Sequence, residues 1–341
     1  MVTRHLRNSV VALAFCIGVP AHAQQYSFQY YGVDQGLTDL AVRSLFQDAR
    51  GFLWLGTENG IFRYDGTRFQ AYTQAQGLPA SNAAMFGEAP DGTLLVGGSF
   101  GLYRQVSDRF EPVNMPGAKE VIWGAGIQSD GKGHTYIATN AGLMTMTREA
   151  GVDRLWLIAA PPHAGASGAF GVLVERSSGE DKVWWGCGDD LCIASGGAMS
   201  VLGRASGLPP SQWRGIKRAG NGDLWVQSKS GQLRVMKHGR VRFEAPDLPP
   251  SPFGPRGLLG LDASGNLIAP YGDGLAIQQD GRWKMIGRVA GIHGPVYSVL
   301  QDREGSVWLG LGGTVWHGGS GIGSGSITMP MTGWGVNSSM R

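Results

Sequence analysis

The chain has 341 residues, enough for a large core or for several domains. It carries 56 glycines and 11 tryptophans but only 16% charged residues, a balance that favours tight turns and short strands and points to an all-β fold. The formal charge is +3, and two of the basic residues, Arg4 and Arg7, fall in a leader; a near-neutral body gives no electrostatic footprint for nucleic acid.

The leader comes first in the chain. Residues 1–23 have a basic start, an apolar stretch from Val10 to Val19, and Ala21-His22-Ala23. This is the order of a secretory signal peptide, with cleavage expected after Ala23. The apolar stretch is too short for a stable membrane anchor. A lipoprotein reading at Cys16 is weaker because the bulky Phe15 precedes it. The expected location is the bacterial periplasm.

Residues 42–72 give the physics of one structural unit. Val42 to Gln47 reads as a first strand, and Asp48 to Gly51 as a turn. Phe52 to Thr57 is a second strand, Ile61 to Tyr64 a third and Phe69 to Tyr72 a fourth, with turns at Glu58-Asn59-Gly60 and Asp65-Gly66-Thr67. The unit then recurs. Trp54 is followed at spacings of 40–48 residues by Leu95, Tyr136, Trp184, Trp225, Ile268 and Trp308. Four antiparallel strands per repeat of this length make a propeller blade, and seven copies predict a seven-bladed β-propeller over 24–316. Blades must stack to bury their faces, so the anchor residues are expected in the core between blades.

Closure follows from the same offset. "SFQYYGVDQGL" at 27–37 matches "RFQAYTQAQGL" at 68–78, an outer strand and the link after it. The last copy has inner strands but no outer one. Residues 27–31, with Phe28 to Tyr31 as the strand, are therefore expected to complete the last blade and remove its open edge.

Three segments carry a known pattern: "GLTDLAVRSLFQDARGFLWLGTENGIFRYDGTRFQAYT", "GLPPSQWRGIKRAGNGDLWVQS" and "VYSVLQDREGSVWLGLGG". The repeat resembles the two-component regulator propeller family across about residues 27–316. The resemblance implies the periplasmic sensor region of a hybrid histidine kinase or a diguanylate cyclase, and ligands that include oligosaccharides. No membrane helix, kinase motif or GGDEF-like segment follows the repeats, so an output domain is not expected here. Residues 317–341 lose the repeat and become rich in Gly, Ser and Met. They read as an irregular tail, or as out-of-frame translation of a longer sensor gene.

Catalytic chemistry is hard to find in the sequence. "GGSFG" at 97–101 matches G-x-S-x-G but aligns with a strand-to-strand turn, so Ser99 reads as a turn residue. Asp48, Asp130, Asp262 and Asp302 recur once per repeat and would stand apart around the axis; they read as caps on turn N–H groups. Cys187 and Cys192 flank a short turn, and an oxidising compartment favours a disulfide over two free thiols; a metal site would need two further ligands that are not found nearby. No cofactor or metal is implied.

A binding site is expected on the loops leading into the innermost strands, which ring one mouth of the central channel. The candidates there are Asp39, Arg43, Trp123, Trp213, Arg214, Arg256 and Tyr297. Their types suit a sugar, through ring stacking and charged hydrogen bonds. The sequence thus predicts a non-enzymatic sensing propeller for a small molecule, with a protein partner or a homodimer as further possibilities. A carbohydrate lyase or glycosidase on the same fold, or a protein-binding scaffold, are the alternatives.

Overall fold

A computed structural model describes residues 28–79, 84–124, 126–161, 168–177, 179–248, 257–292, 294–312 and 315–318. The leader, Arg256, and residues 319–341 of the tail lie outside them. Among the described residues each sheet is a run of antiparallel strands, innermost strand first, in chain order in all but the closing one. The first blade comprises Val42–Gln47, Leu53–Thr57, Ile61–Tyr64 and Phe69–Tyr72. Blades of the same form follow at Met85–Val113, Ile127–Ala159 and Ala169–Leu202, and again at Gly260–Ile286. The closing blade takes Val296–Gln301, Val307–Leu311 and Val315–Gly318 from one end of the chain and Phe28–Tyr31 from the other. No described helix is long and apolar enough to cross a membrane.

The architecture corrects the expectation of seven four-stranded blades. Among the described residues six sheets have four strands, and residues 213–236 form a sheet of three. Its strands are Trp213–Arg218, Leu224–Ser228 and Leu233–Met236. Where a fourth should pair, there is a single bridge between Val235 and Glu244. The cause is local. Phe243 is buried as Phe69 is in the first blade, but three residues on, where that blade has the buried Tyr72, stands Pro246. Proline has no N–H to give a ladder, and Val241 stays 87% exposed, so the strand is not completed.

The repeated residues owe their spacing to packing between sheets. Trp54 is wholly buried, with Tyr72 of its own blade at 4.8 Å and Phe110 and Phe86 of the next blade at 5.9 and 6.3 Å. Trp225 meets Trp283 of the following blade edge-on at 5.5 Å. Trp184 clusters with Trp213, Ile216 and Leu224 of the three-stranded sheet. At the junction of the closing and first blades, Tyr31 lies 5.5 Å from Trp308, 5.4 Å from Tyr64 and 5.8 Å from Phe69. Offset and edge-on rings at these separations add to what their burial contributes.

The turn acids do more than cap turns. Asp48 accepts the N–H groups of Arg50 and Phe52 at 3.0 and 2.9 Å, and its other oxygen accepts the Trp54 indole N–H at 2.9 Å. Asp302 repeats this with the Ser306 N–H and the Trp308 indole. Asp130 and Asp262 hold the same turn, and their second oxygens take His134 and Asn266 in place of a tryptophan. Asp48 and Asp302 thus join their turn to the core tryptophan six positions later.

The Gly-Leu pairs that open the repeats place the links between blades. After a single 3-10 turn, Gly36, Gly77, Gly207 and Gly291 take φ of 87–93°. A Cβ on Gly77 would lie 2.2 Å from the Phe110 carbonyl oxygen of the next blade, so only glycine fits. The following Leu37, Leu78, Leu208 and Ile292 are then fully buried.

Asp48 is 2% exposed, so its removal strands three donors in the interior. Asp48→Ala is expected to lower stability by about 2–4 kcal/mol in urea denaturation. A loss within about 0.5 kcal/mol, as for an ordinary surface change, contradicts this role.

Candidate functional site

The innermost strands of four sheets begin with a β-bulge. Pairing with the second strand skips Arg43, Gly171, Arg214 and Tyr297. A bulge leaves its extra residue out of the ladder and re-aims the side chain. Arg43, Arg214 and Tyr297 are thereby set at one mouth of the channel, on the face opposite the turn acids. Gly257 takes the corresponding place before the Gly260–Leu261 strand.

Two cation–aromatic pairs result. The Arg43 guanidinium lies 3.9 Å from the centroid of the Tyr297 ring, across the junction of the first and closing blades, and also bonds the Glu58 carboxylate. The Arg214 guanidinium lies 4.2 Å from the Trp123 ring. These two belong to sheets that are not neighbours, since the Ala169–Leu202 blade stands between them. Gly171 makes the crossing possible: with φ of 51°, a Cβ there would lie 1.9 Å from the Arg214 carbonyl oxygen. Gly124 gives way similarly to the Arg214 Cβ. Burial pushes the Arg214 guanidinium down to about 10, so it stays charged at neutral pH but sees little water. A desolvated cation over an indole interacts more strongly than an exposed one. The buried Trp123 indole N–H has no hydrogen-bond partner among the described residues.

The other candidates divide. Asp39 spends both oxygens on backbone, accepting the Ala41 N–H at 3.1 Å and the Asn59 N–H at 2.6 Å, and so fixes the loop leading to Arg43 against the turn above it. Trp213 is wholly buried in the core with Trp184 and Leu224 and offers no face to the mouth. Arg256 lies outside the described residues. Cys187 and Cys192 form a disulfide across the hairpin of the Ala169–Leu202 blade, with Cα atoms 5.8 Å apart. Ser99 lies in the turn between Leu94–Gly98 and Gly101–Val106. Among the described residues no three His, Cys, Asp or Glu side chains are grouped to hold a metal. The sequence reading missed Glu58, Gly124 and Gly171. Glu58 had a usable signal, because its turn must lie over the residue that opens the first strand.

The fold is a repeat β-propeller that presents side chains at one mouth. Residues 36–59 match the two component regulator propeller family, which bears out the resemblance read from the sequence. No curated protein matches the chain. Among solved structures, it is similar to the extracellular domain of the putative hybrid two component system BT4673 from B. thetaiotaomicron, at 17% identity and a TM-score of 0.65, over 86% of this chain and 39% of that one. The corresponding domain of BT3049 from B. thetaiotaomicron gives 18% identity and 0.64, over 86% and 42%. The chain thus spans about two fifths of the length of these extracellular domains. A catalytically inactive virginiamycin B lyase from Staphylococcus aureus, solved with quinupristin, matches at 13% identity and 0.63, over 86% and 98%. At such identities the likeness is one of fold, and the fold serves sensors and enzymes alike.

Gly171→Ala combines a strained backbone with a collision against the Arg214 carbonyl, whereas a Cβ on Gly66, at φ of 100°, meets nothing within 4 Å. Gly171→Ala is expected to cost about 1 kcal/mol or more beyond Gly66→Ala in urea denaturation. Equal losses would mean that Arg214 does not depend on the close approach at Gly171.

Proposed function

We propose that this chain is an exported, ligand-sensing propeller of a bacterial signal-transduction protein, and that it recognises a small polar solute of the oligosaccharide class at the mouth described above. The observation that carries the reading is the two arginine–aromatic pairs, Arg43 with Tyr297 and Arg214 with Trp123, on bulges at one end of the channel. A sugar presents an apolar ring face and a rim of hydroxyls. Tyr297 and Trp123 supply surfaces for the first, and the two guanidinium groups supply donors for the second. Two such pairs on different blades suit a chain of several sugar units better than a single ring.

Three facts support an exported sensor. The leader has the order of a secretory signal. The disulfide suits an oxidising compartment. The similar structures from B. thetaiotaomicron are extracellular domains of putative two component systems. In such a receptor, a ligand bridging the two pairs would favour one packing of the sheets around the mouth, and that preference would pass to whatever part of the receptor adjoins the propeller.

The full chain, expressed with its leader and purified from the periplasm, is the material for the test. A panel of neutral and uronic-acid oligosaccharides is screened by thermal melting. A ligand that binds only the folded state stabilises it by about 2.7 kcal/mol at a hundredfold excess over Kd. The expected result is a saturable rise in Tm of several degrees for one oligosaccharide class, abolished by Arg214→Ala and weakened by Arg43→Ala. A cooperative melt that no oligosaccharide moves, or a response that both variants keep, contradicts the reading.

A further inference from the structure

A cavity of about 370 Å³ lies among the innermost strands, and none of the four residues of the arginine–aromatic pairs lines it. The innermost strands enclose it: Leu45 and Phe46 from the first blade, Phe86 and Ile127 from the next two, and Leu259 and Val299 from the last two. Its volume is within the range of small-molecule sites, and such sites are mostly apolar with a few placed polar groups.

One charged residue is among its described lining residues, Lys217. It stands on the inner strand of the three-stranded sheet. Among the described residues no carboxylate pairs with it, and the other residues that line the cavity are apolar or neutral. Gln128 and Gln301, also at the wall, are already engaged with backbone, Gln128 with the Val174 N–H and Gln301 with the Ala263 N–H and the Gly305 carbonyl. They frame the cavity and leave Lys217 as its charge. Burial lowers the Lys217 pKa from its ordinary value. Lys217 is half-buried at the cavity wall, and an ammonium partly withdrawn from water with no counter-charge beside it is a natural partner for an anion.

We propose that this cavity is a second binding site, for a small carboxylate with an apolar body, whose charge is met by Lys217. The carboxylate supplies the missing counter-charge through a charge-assisted hydrogen bond. Leu45, Phe46, Phe86, Ile127 and Leu259 receive the apolar part. An inorganic anion would satisfy the lysine but leave those walls unfilled. Its lining residues are distinct from Arg43, Tyr297, Trp123 and Arg214.

Sodium benzoate is the probe, with benzyl alcohol as its neutral counterpart and phosphate and chloride as inorganic anions at matched ionic strength. Tm of the full chain is followed as each is titrated. Benzoate is expected to raise Tm saturably by a few degrees, and benzyl alcohol, phosphate and chloride to leave it where ionic strength alone puts it. Lys217→Met, which keeps the length and removes the charge, is expected to melt at or above the wild-type temperature and to lose the benzoate response; should it not fold, Lys217→Gln serves with the same expected loss. Arg214→Ala is expected to keep the benzoate response, which separates this site from the mouth. A benzoate response undiminished in Lys217→Met, a response to phosphate equal to that of benzoate, or no response to benzoate beyond that of chloride overturns the proposal.

Discussion

A ring of stacked sheets is worth its conformational cost only if its two ends meet, and here they meet in one pairing: Phe28–Tyr31 against Val315–Gly318. A blade without its outer strand would present a row of unpaired backbone groups and an uncovered edge. The first strand supplies that edge from residues almost the whole length of the ring away. Tyr31 then sits among Trp308, Tyr64 and Phe69, so the same four residues that close a sheet also seal the seam between the closing and first blades. An isolated bridge between Ala41 and Gly312 stitches the seam again near the axis. This seam joins the two ends of the chain, and the long loop it closes must be offset by what it buries.

The mouth depends on that seam. Arg43 and Tyr297 belong to the two blades that the seam joins, so their pairing exists only in the closed ring. Arg214 and Trp123 lie elsewhere around the ring and bridge over a glycine. The first pair therefore reports closure, and the second reports the spacing of three consecutive sheets. A solute held by both would feel any change in how the sheets lean on one another. In the proposed receptor, binding would be coupled to the scaffold through geometry that the ring imposes.

Much of this was legible in the sequence because a repeat states its rules several times. The acid at the turn and the core residue six positions on are each read from their period, and the structure shows why they recur in the first blade: a bond from Asp48 to the buried Trp54 indole. Features that belong to single repeats were not legible. Pro246 removes a strand at one place, and its effect shows only when it is aligned with the buried Tyr72. The bulges that lift Arg43, Arg214 and Tyr297 out of their ladders leave no mark in composition. Trp213 precedes one of those bulges and so turns inward, where Arg214 turns out; sequence adjacency suggested a shared surface that one step of a strand denies. Lys217 carried no repeat signal at all, since the other residues lining its cavity are uncharged.

Native-state hydrogen exchange of the Phe28–Tyr31 amides tests the central claim, that pairing of the two chain ends holds the ring together. If the ring stands or falls with this pairing, those amides that bond to Val315–Gly318 exchange only with global unfolding, at the same free energy as the amides of Leu53–Thr57 in the first blade. Exchange of Phe28–Tyr31 by local opening, far faster than the Leu53–Thr57 amides and with no loss of protection there, would show that the ring is held by blade stacking alone and that the account of closure is wrong.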